Sequence, residues 1–439
     1  MLKRKYSNSA VPVAIKVVIF DADTADMKFQ DYNIAEDIKR SLAEAGFKRP
    51  TDIQFKAIPS ILKGDDVMAI AQTGTGKTAA FAIPVLHKLQ QNLNKKNKGE
   101  IRCLVMVPTR ELAIQIADVF KQIGKYTKLS ILGLYGGVEQ DAQINKLERG
   151  VDILIATPGR MFDLINQEHI DLSRVEMLIL DEADHMLDLG FIKDIYGILK
   201  FIPKRHQTLF FSATIDKEIK DLAYSIVNNP IRIQISPKDP VSKNVNHAVA
   251  YVEMDDKRFF LERLVKEFPE SKILVFVRTK VRAERVQAAM ERVGIKSITM
   301  HGGKEQADRL QVMKEFKTGE VKLLITTDVN ARGIDIPDVD YVVNYDLPDV
   351  AENYVHRVGR TGRGVKKGQA VSFCSKEEKP MLDEIEQYVG KPIQEMKIDK
   401  NDYRETIAFS EEVPNDNWQL LLEQEEKAQQ QQKKKKKRK

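Results

Sequence analysis

Short apolar runs recur along the chain, separated by segments of helix length. In the first half they fall at 66–71 (DVMAIA), 103–107, 131–135, 152–156, 176–180 and 207–212. Rich in Val, Ile and Leu and largely without polar alternation, they predict buried parallel strands rather than half-exposed ones. A second series follows at 272–277, 296–300, 322–326, 340–345 and 369–373. Between the two lies SPKDPVSKN (236–244), with two prolines and few apolar positions, which suits an exposed hinge. The expectation is two α/β domains, 27–235 and 245–400, each a doubly wound sheet. After about Lys400 the pattern decays into an amphipathic stretch holding the single tryptophan, Trp418, then four glutamines and a basic run. Residues 401–439 are expected to form a disordered tail.

Composition narrows the class. Of 439 residues, 42% are hydrophobic and 31% charged, as in a soluble globular protein. No run approaches the ~18 uncharged apolar residues of a membrane-spanning helix. Residues 1–26 begin with basic residues and an apolar run, but Lys16 interrupts it and no small-x-small site follows closely, which argues against a secretory leader. Cys103 and Cys374 each lie in an apolar run and read as buried strand residues, not as a disulfide or metal pair. These features together point to the cytoplasm. The net charge of +6 is local: Lys433 to Lys439 are seven consecutive basic residues, and without them 63 basic residues face 64 acidic ones. Any nucleic-acid site in the body is therefore a cleft, not a globally positive surface.

Two segments carry chemistry. AQTGTGKT (Ala71 to Thr78) follows the first strand and opens a helical segment, the context in which backbone N–H groups cradle phosphates and a lysine reaches the terminal ones. Gly74 and Gly76 spare the backbone a Cβ, Thr75 lies between them, Lys77 supplies the charge and Thr78 a hydroxyl for Mg²⁺. Ala71 replaces the first glycine of the general pattern. The run 176–180 ends at Asp181-Glu182-Ala183-Asp184, at the carboxyl end of a strand, where α/β sheets bind ligands. Alone, this cluster could be a solvated turn or a helix cap. Beside a phosphate loop, Asp181 is suited to holding Mg²⁺ and Glu182 to orienting or deprotonating water.

From about residue 27 to 375 the sequence resembles the DEAD-box RNA helicases. GFKRPTDIQ (Gly46 to Gln54) is similar to that family's adenine motif, and the resemblance has Gln54 bond the base edge and Phe29 pack near it. It implies RNA contacts in the first domain at Pro108, Thr109 and Arg110, at Gly136 and Gly137, and at Thr157, Pro158, Gly159 and Arg160. In the second domain it implies them at Gly302, Gln306, Arg309 and Thr327. Hydroxyls, glycine N–H groups and arginines suit a sugar-phosphate backbone. Ser212 and Thr214 would link hydrolysis to RNA separation, and could equally cap a helix. Gly333 and Asp335 would bind the nucleotide, and Arg360 and Arg363 would be arginine fingers. Gly303 and Asn330 depart from the family's usual residues. The fold so implied is two tandem RecA-like domains, with ATP and Mg²⁺ as cofactors and RNA as a sequence-nonspecific partner. Protein partners could use the C-terminal tail.

Because the phosphate loop and the fingers lie on opposite sides of the hinge, hydrolysis needs closure, and the same closure completes an RNA groove. The expected function is local, non-processive RNA duplex separation or remodelling of RNA–protein complexes. A second reading is an ATP-gated RNA clamp that serves as an assembly platform. A DNA helicase fits the adenine motif and acidic cluster less well, and a GTPase is disfavoured by the absence of an NKxD motif. Because Met27 begins where the resemblance begins, residues 1–26 are expected to be dispensable.

Overall fold

The computed structural model describes residues 27–71, 74–92, 100–215, 217–235, 241, 244–328, 339–362 and 367–410, without the side chains of 306 and 307. The expectations for 1–26, for most of the hinge, for Gly333, Asp335 and Arg363, for the Gln306 side chain and for 411–439 lie outside these residues. No described helix is long and apolar enough to cross a membrane.

The first half contains β1 (Val67–Ala71), β2 (Cys103–Met106), β3 (Ile131–Leu134), β4 (Ile153–Ala156), β5 (Met177–Leu180), β6 (Gln207–Ser212) and β7 (Ile231–Ile235). The second contains β8 (Val245–Tyr251), β9 (Ile273–Phe276), β10 (Ser297–Met300), β11 (Leu323–Thr326), β12 (Tyr341–Asn344), β13 (Gly368–Cys374) and β14 (Gln394–Glu395). Each half forms one seven-stranded sheet, in the orders β3-β4-β2-β5-β6-β1-β7 and β10-β11-β9-β12-β13-β8-β14. All strand pairs are parallel. These are tandem RecA-like domains.

Alternate residues along each strand feed opposite faces. Val67, Ala69 and Ala71 join the core under one layer of helices, Met68 and Ile70 the core under the other. That is why the strands read as unbroken apolar runs. Three strands escape this pattern. Polar Arg232 and Gln234 alternate through β7, which forms a sheet edge; β8 contains Asn246 and His247; and β14 is a two-residue edge strand. Cys103 and Cys374 are buried and free, in β2 and β13. The expected tail begins too early: Lys400–Ala408 is a helix packed on helix Lys257–Glu267. Arg263 Nη1 donates to Thr406 Oγ1 at 2.6 Å. Only Thr406 of that helix is fully buried, so it carries little apolar signal.

The parallel topology collects most motifs at the carboxyl ends of strands; the Gln54 segment instead opens helix Asp52–Lys63, and Arg360 follows helix Ala351–Val358. The first-domain segments expected on RNA follow β2, β3 and β4, on one side of the first sheet; those expected on ATP follow β5 and β1, and the expected coupling segment follows β6, on the other.

Candidate nucleotide and RNA site

The phosphate loop turns from β1 into helix Lys77–Gln91 with Gly74 and Gly76 at φ +83° and +94°, the left-handed region that favours glycine. A Cβ at Gly76 would lie 2.4 Å from Gln54 Nε2. Gln54 is 2% exposed and engaged at both ends of its amide: Oε1 accepts from Thr51 N at 2.9 Å and Nε2 donates to Gly76 O at 3.1 Å. Thr51 Oγ1 donates to Thr75 O at 2.8 Å. The segment expected to read the base therefore also braces the phosphate loop. Thr51, the residue sequence reasoning missed, lies within the same motif. Phe29 corrects an expectation: at 2% exposure it is a core residue, its ring 6.1 Å from Phe47 and 6.0 Å from Tyr32, with no open face for a base.

Lys77 is 6% exposed, and its Nζ is buried with no hydrogen-bond partner among the described residues. A buried ammonium without a partner is costly unless a ligand completes it, and a phosphate oxygen has the charge and acceptor chemistry to do so. Half-buried Thr78 follows in the first turn of the helix. Asp181 and Glu182 lie beyond β5, both nearly buried, and their carboxyls are driven in opposite directions. Burial pushes Asp181 up to about 6, against the pull of Lys77, with Glu182 and Asp184 adding to the rise. Burial acts on Glu182 too, but His185, 3.5 Å away at Nδ1, and the charges of Lys77 and Arg360 outweigh it and hold Glu182 at about 2. Such a separation keeps Glu182 ionised while Asp181 seeks a cation. Glu182 also has φ +51°, a left-handed backbone that is rare outside glycine. Mg²⁺ commonly takes one or two protein oxygens and completes its shell with phosphates and water. Thr78 and Asp181 fit that donor set, and no described cluster of three or more acidic, His or Cys side chains forms a closed metal cage.

Asp184 links this acidic turn to the segment after β6. Its Oδ2 accepts from Ala213 N at 2.9 Å, Thr214 N at 3.1 Å and Thr214 Oγ1 at 3.3 Å, and Ser212 Oγ accepts from Thr214 N at 3.3 Å. Ala213 and Thr214 thus bind back to the acidic turn, and Ser212 braces Thr214.

The second half closes over this edge. Helix Ala351–Val358 and the turn after it carry Arg360, 3% exposed, whose charge acts on Glu182. A small cleft is lined from one side by Glu182, His185 and Thr214 and from the other by Glu352 and His356. Inside the second half, Arg357 reaches Asp328, next to Thr327, with Nη2 to Oδ2 at 2.7 Å, and donates from Nη1 to Asp346 O at 2.7 Å.

On the other side of the first sheet, Thr109 caps helix Arg110–Ile123 by accepting from Leu112 N at 3.3 Å, leaving Arg110 at the helix start. Arg110 lies directly over Gly137, where a Cβ would be 2.0 Å from Nη1, and near Gly136. Arg160 donates from Nη2 to Val138 O at 2.9 Å, while its Nη1 is buried without a hydrogen-bond partner among the described residues. Thr157 and Pro158 open its helix, and Gly159 faces open space. Arg110, Gly136 and Gly137 thus meet, with Arg160 tied to Val138 beside them, while Pro108 is buried. Across the cleft, Gly302 is exposed and Thr327 buried. Arg309 Nη2 lies 2.9 Å from Glu111 Oε1, so here it joins the two halves. Glu111 lies within the PTREL segment, but nothing in the sequence marked it as a cross-domain partner.

Residues 51–222 match the family model described as DEAD/DEAH box helicase, and 256–365 match the helicase conserved C-terminal domain. The chain belongs to the DEAD/DEAH box helicase family. The ATP-dependent RNA helicase RhlB of Shewanella amazonensis is 39% identical over 378 residues, 85% of this chain and 86% of that protein. RhlB of Shewanella woodyi is 41% identical over 369 residues, 83% and 84% of the two chains. Among solved structures, S. cerevisiae Dbp5 bound to RNA and ADP BeF3 is 30% identical, covers 87% of this chain and 98% of its own, and superposes with a TM-score of 0.75. Mss116p bound to ssRNA and AMP-PNP is 28% identical, with coverage of 93% and 87% and a TM-score of 0.79. A DEAD box protein from Methanococcus jannaschii is 37% identical, with coverage of 84% and 99%, yet reaches 0.50. The chain thus superposes better on the two RNA-bound helicases than on this relative of higher identity.

Proposed function

We propose that this ATP-dependent RNA helicase couples one round of ATP hydrolysis to local, non-processive separation of RNA strands, by closing its two domains on both ligands at once. The observation that carries the reading is Arg360: its charge reaches Glu182 from the other domain, beside the unpartnered ammonium of Lys77. In this reading the loop from Gly74 to Thr78 and Lys77 hold the phosphates, with Gln54 at the base and Gly333 and Asp335 at the ribose. Thr78 and Asp181 hold Mg²⁺, which would neutralise phosphate charge. Glu182, already ionised, orients the attacking water or takes its proton. Arg360 and Arg363 stabilise charge that develops in the transition state, a contribution of about 10³–10⁵ in rate.

RNA would lie along Thr109, Arg110, Gly136, Gly137 and Arg160, and across the cleft on Gly302, Gln306 and Thr327. These are backbone-directed contacts, which give little sequence preference. Ser212 and Thr214, through Asp184, connect that groove to the acidic turn. A groove that fits one bent strand would force strands apart when it closes on a duplex. Two buried free thiols agree with a cytoplasmic setting.

Glu182→Gln keeps the side-chain shape but cannot take the proton. ATP and RNA binding should persist while turnover falls by about 10²–10⁴, leaving the protein retained on RNA. Near-parental hydrolysis would remove Glu182 from this role. The clamp reading is separated by strand displacement: the parent protein should release a short duplexed strand in an ATP-dependent manner, and failure to do so while holding RNA would favour the clamp.

A further inference from the structure

Away from the nucleotide cleft, the second domain holds a cavity of about 300 Å³ between helices Lys257–Glu267 and Lys280–Arg292. Its rim carries four guanidinium groups, Arg258, Arg278, Arg282 and Arg285, against two carboxylates, Asp255 and Asp346. Val286, Ala289 and the Tyr345 ring supply an apolar floor. The rim is braced in place: Arg278 Nε is 3.1 Å from Asp349 Oδ1, Arg282 Nε is 2.9 Å from Asp346 Oδ1, and the Arg282 Cζ lies 5.3 Å from the Tyr345 ring centre. Preset arginines over an apolar floor select an aromatic anchor flanked by carboxylates. The volume is at the lower end for small-molecule pockets, about 300–1,000 Å³, and so suits one bulky side chain better than a nucleotide.

The chain carries such an anchor close by. Helix Lys400–Ala408 runs alongside helix Lys257–Glu267 in the same direction, with Tyr403 Oη donating to Asp256 Oδ2 at 2.7 Å near their starts. Ser410, just past its end, hydrogen-bonds to Glu262. Glu262 is one turn from Arg258 on the same helix face, so the chain leaves the described residues about 6 Å along the helix from the cavity rim. The residues that follow are EEVPNDNW, with Glu411, Glu412 and Asp416 preceding Trp418. Eight residues reach at most about 26–29 Å when extended, several times that separation. Charge, anchor and reach agree.

We propose that residues 411–418 fold back over the second domain and seat the Trp418 indole in this cavity, with Glu411, Glu412 and Asp416 against the arginine rim.

Trp418 is the only tryptophan in the chain, so the intrinsic emission of the full-length protein reports this one position. The expected result is blue-shifted emission and an acrylamide quenching constant severalfold below that of the same protein in guanidinium chloride. Arg285→Glu, on the half-buried rim, and separately the pair Glu411→Lys with Glu412→Lys, should each raise quenching toward the denatured value. Combining the opposite reversals should restore part of the protection. Unchanged circular dichroism melts would show that both variants fold. Emission and quenching equal to the denatured chain overturn the proposal, as does protection that ignores both reversals. Protection lost on dilution, together with a dimer in gel filtration, also overturns it and makes a second copy the occupant.

Discussion

Gln54 shows how much one side chain is asked to do. Its amide donates to the carbonyl of Gly76 and accepts from Thr51 N, so its removal frees the phosphate loop as well as the base-reading position. Gln54→Ala should therefore weaken ATP, ADP and GTP alike by about tenfold, the worth of one or two buried hydrogen bonds, on top of eroding the preference for ATP. If GTP affinity is untouched while the preference for ATP falls, Gln54 reads the base and braces nothing. Lys77 and Arg360 should separate cleanly. Lys77→Ala removes a phosphate contact present before closure and should weaken nucleotide binding. Arg360→Ala removes one made only in the closed form, so it should lower kcat with little change in nucleotide affinity. Equal binding defects in both variants would argue against a finger supplied from the second domain. Residue types in the phosphate loop and acidic turn were legible from the sequence because each motif is contiguous. The burial of Phe29 was not, because an aromatic near a motif reads the same whether it faces a ligand or the core.

At the scale of elements, helix Arg110–Ile123 of the first domain and helix Gln306–Thr318 of the second meet through Glu111 and Arg309. Separated domains would leave both charges in water, so their pairing contributes to closure rather than to the stability of either half. Truncating one partner of a desolvated pair costs roughly 2–5 kcal/mol, at least about 30-fold in the closing equilibrium. Glu111→Ala should raise the RNA concentration needed to stimulate ATPase by that order, while unstimulated ATP binding stays unchanged. The exchange Glu111→Arg with Arg309→Glu should recover part of the loss. No recovery would mean that Arg309 acts chiefly on RNA. A contact between residues 198 positions apart leaves no periodic trace in a single sequence. The other eleven strands do leave one, since nine of them lie inside the sheets and the edge strands β3 and β10 are still largely apolar runs. Strands β7, β8 and β14 lie at or next to sheet edges, and their polar or very short sequences resemble loops for that reason.

For the whole molecule, the positive excess lies at Lys433 to Lys439, whereas the body is close to neutral. That run is suited to act as a sequence-blind tether for RNA. Each phosphate contact to a single strand contributes a slope of about −0.7 in log K against log salt, so the run could add at most about −5. Deleting Lys433 to Lys439 should weaken RNA binding mainly at low salt and flatten that slope, with maximal ATPase at saturating RNA unchanged. An unaltered slope would dispose of the tether, and a lowered maximum would place the run within the catalytic cycle.

The ammonium of Lys77, buried without a hydrogen-bond partner among the described residues, together with the left-handed backbone of Glu182, places a large unrelieved cost at the nucleotide site of the first domain. Warmed without nucleotide, the protein should lose its first domain before its second, as two resolved calorimetric transitions. A non-hydrolysable ATP analogue answers the ammonium and should move only the earlier transition upward, toward the later one. Heat would then distinguish the half that waits for a ligand from the half that does not.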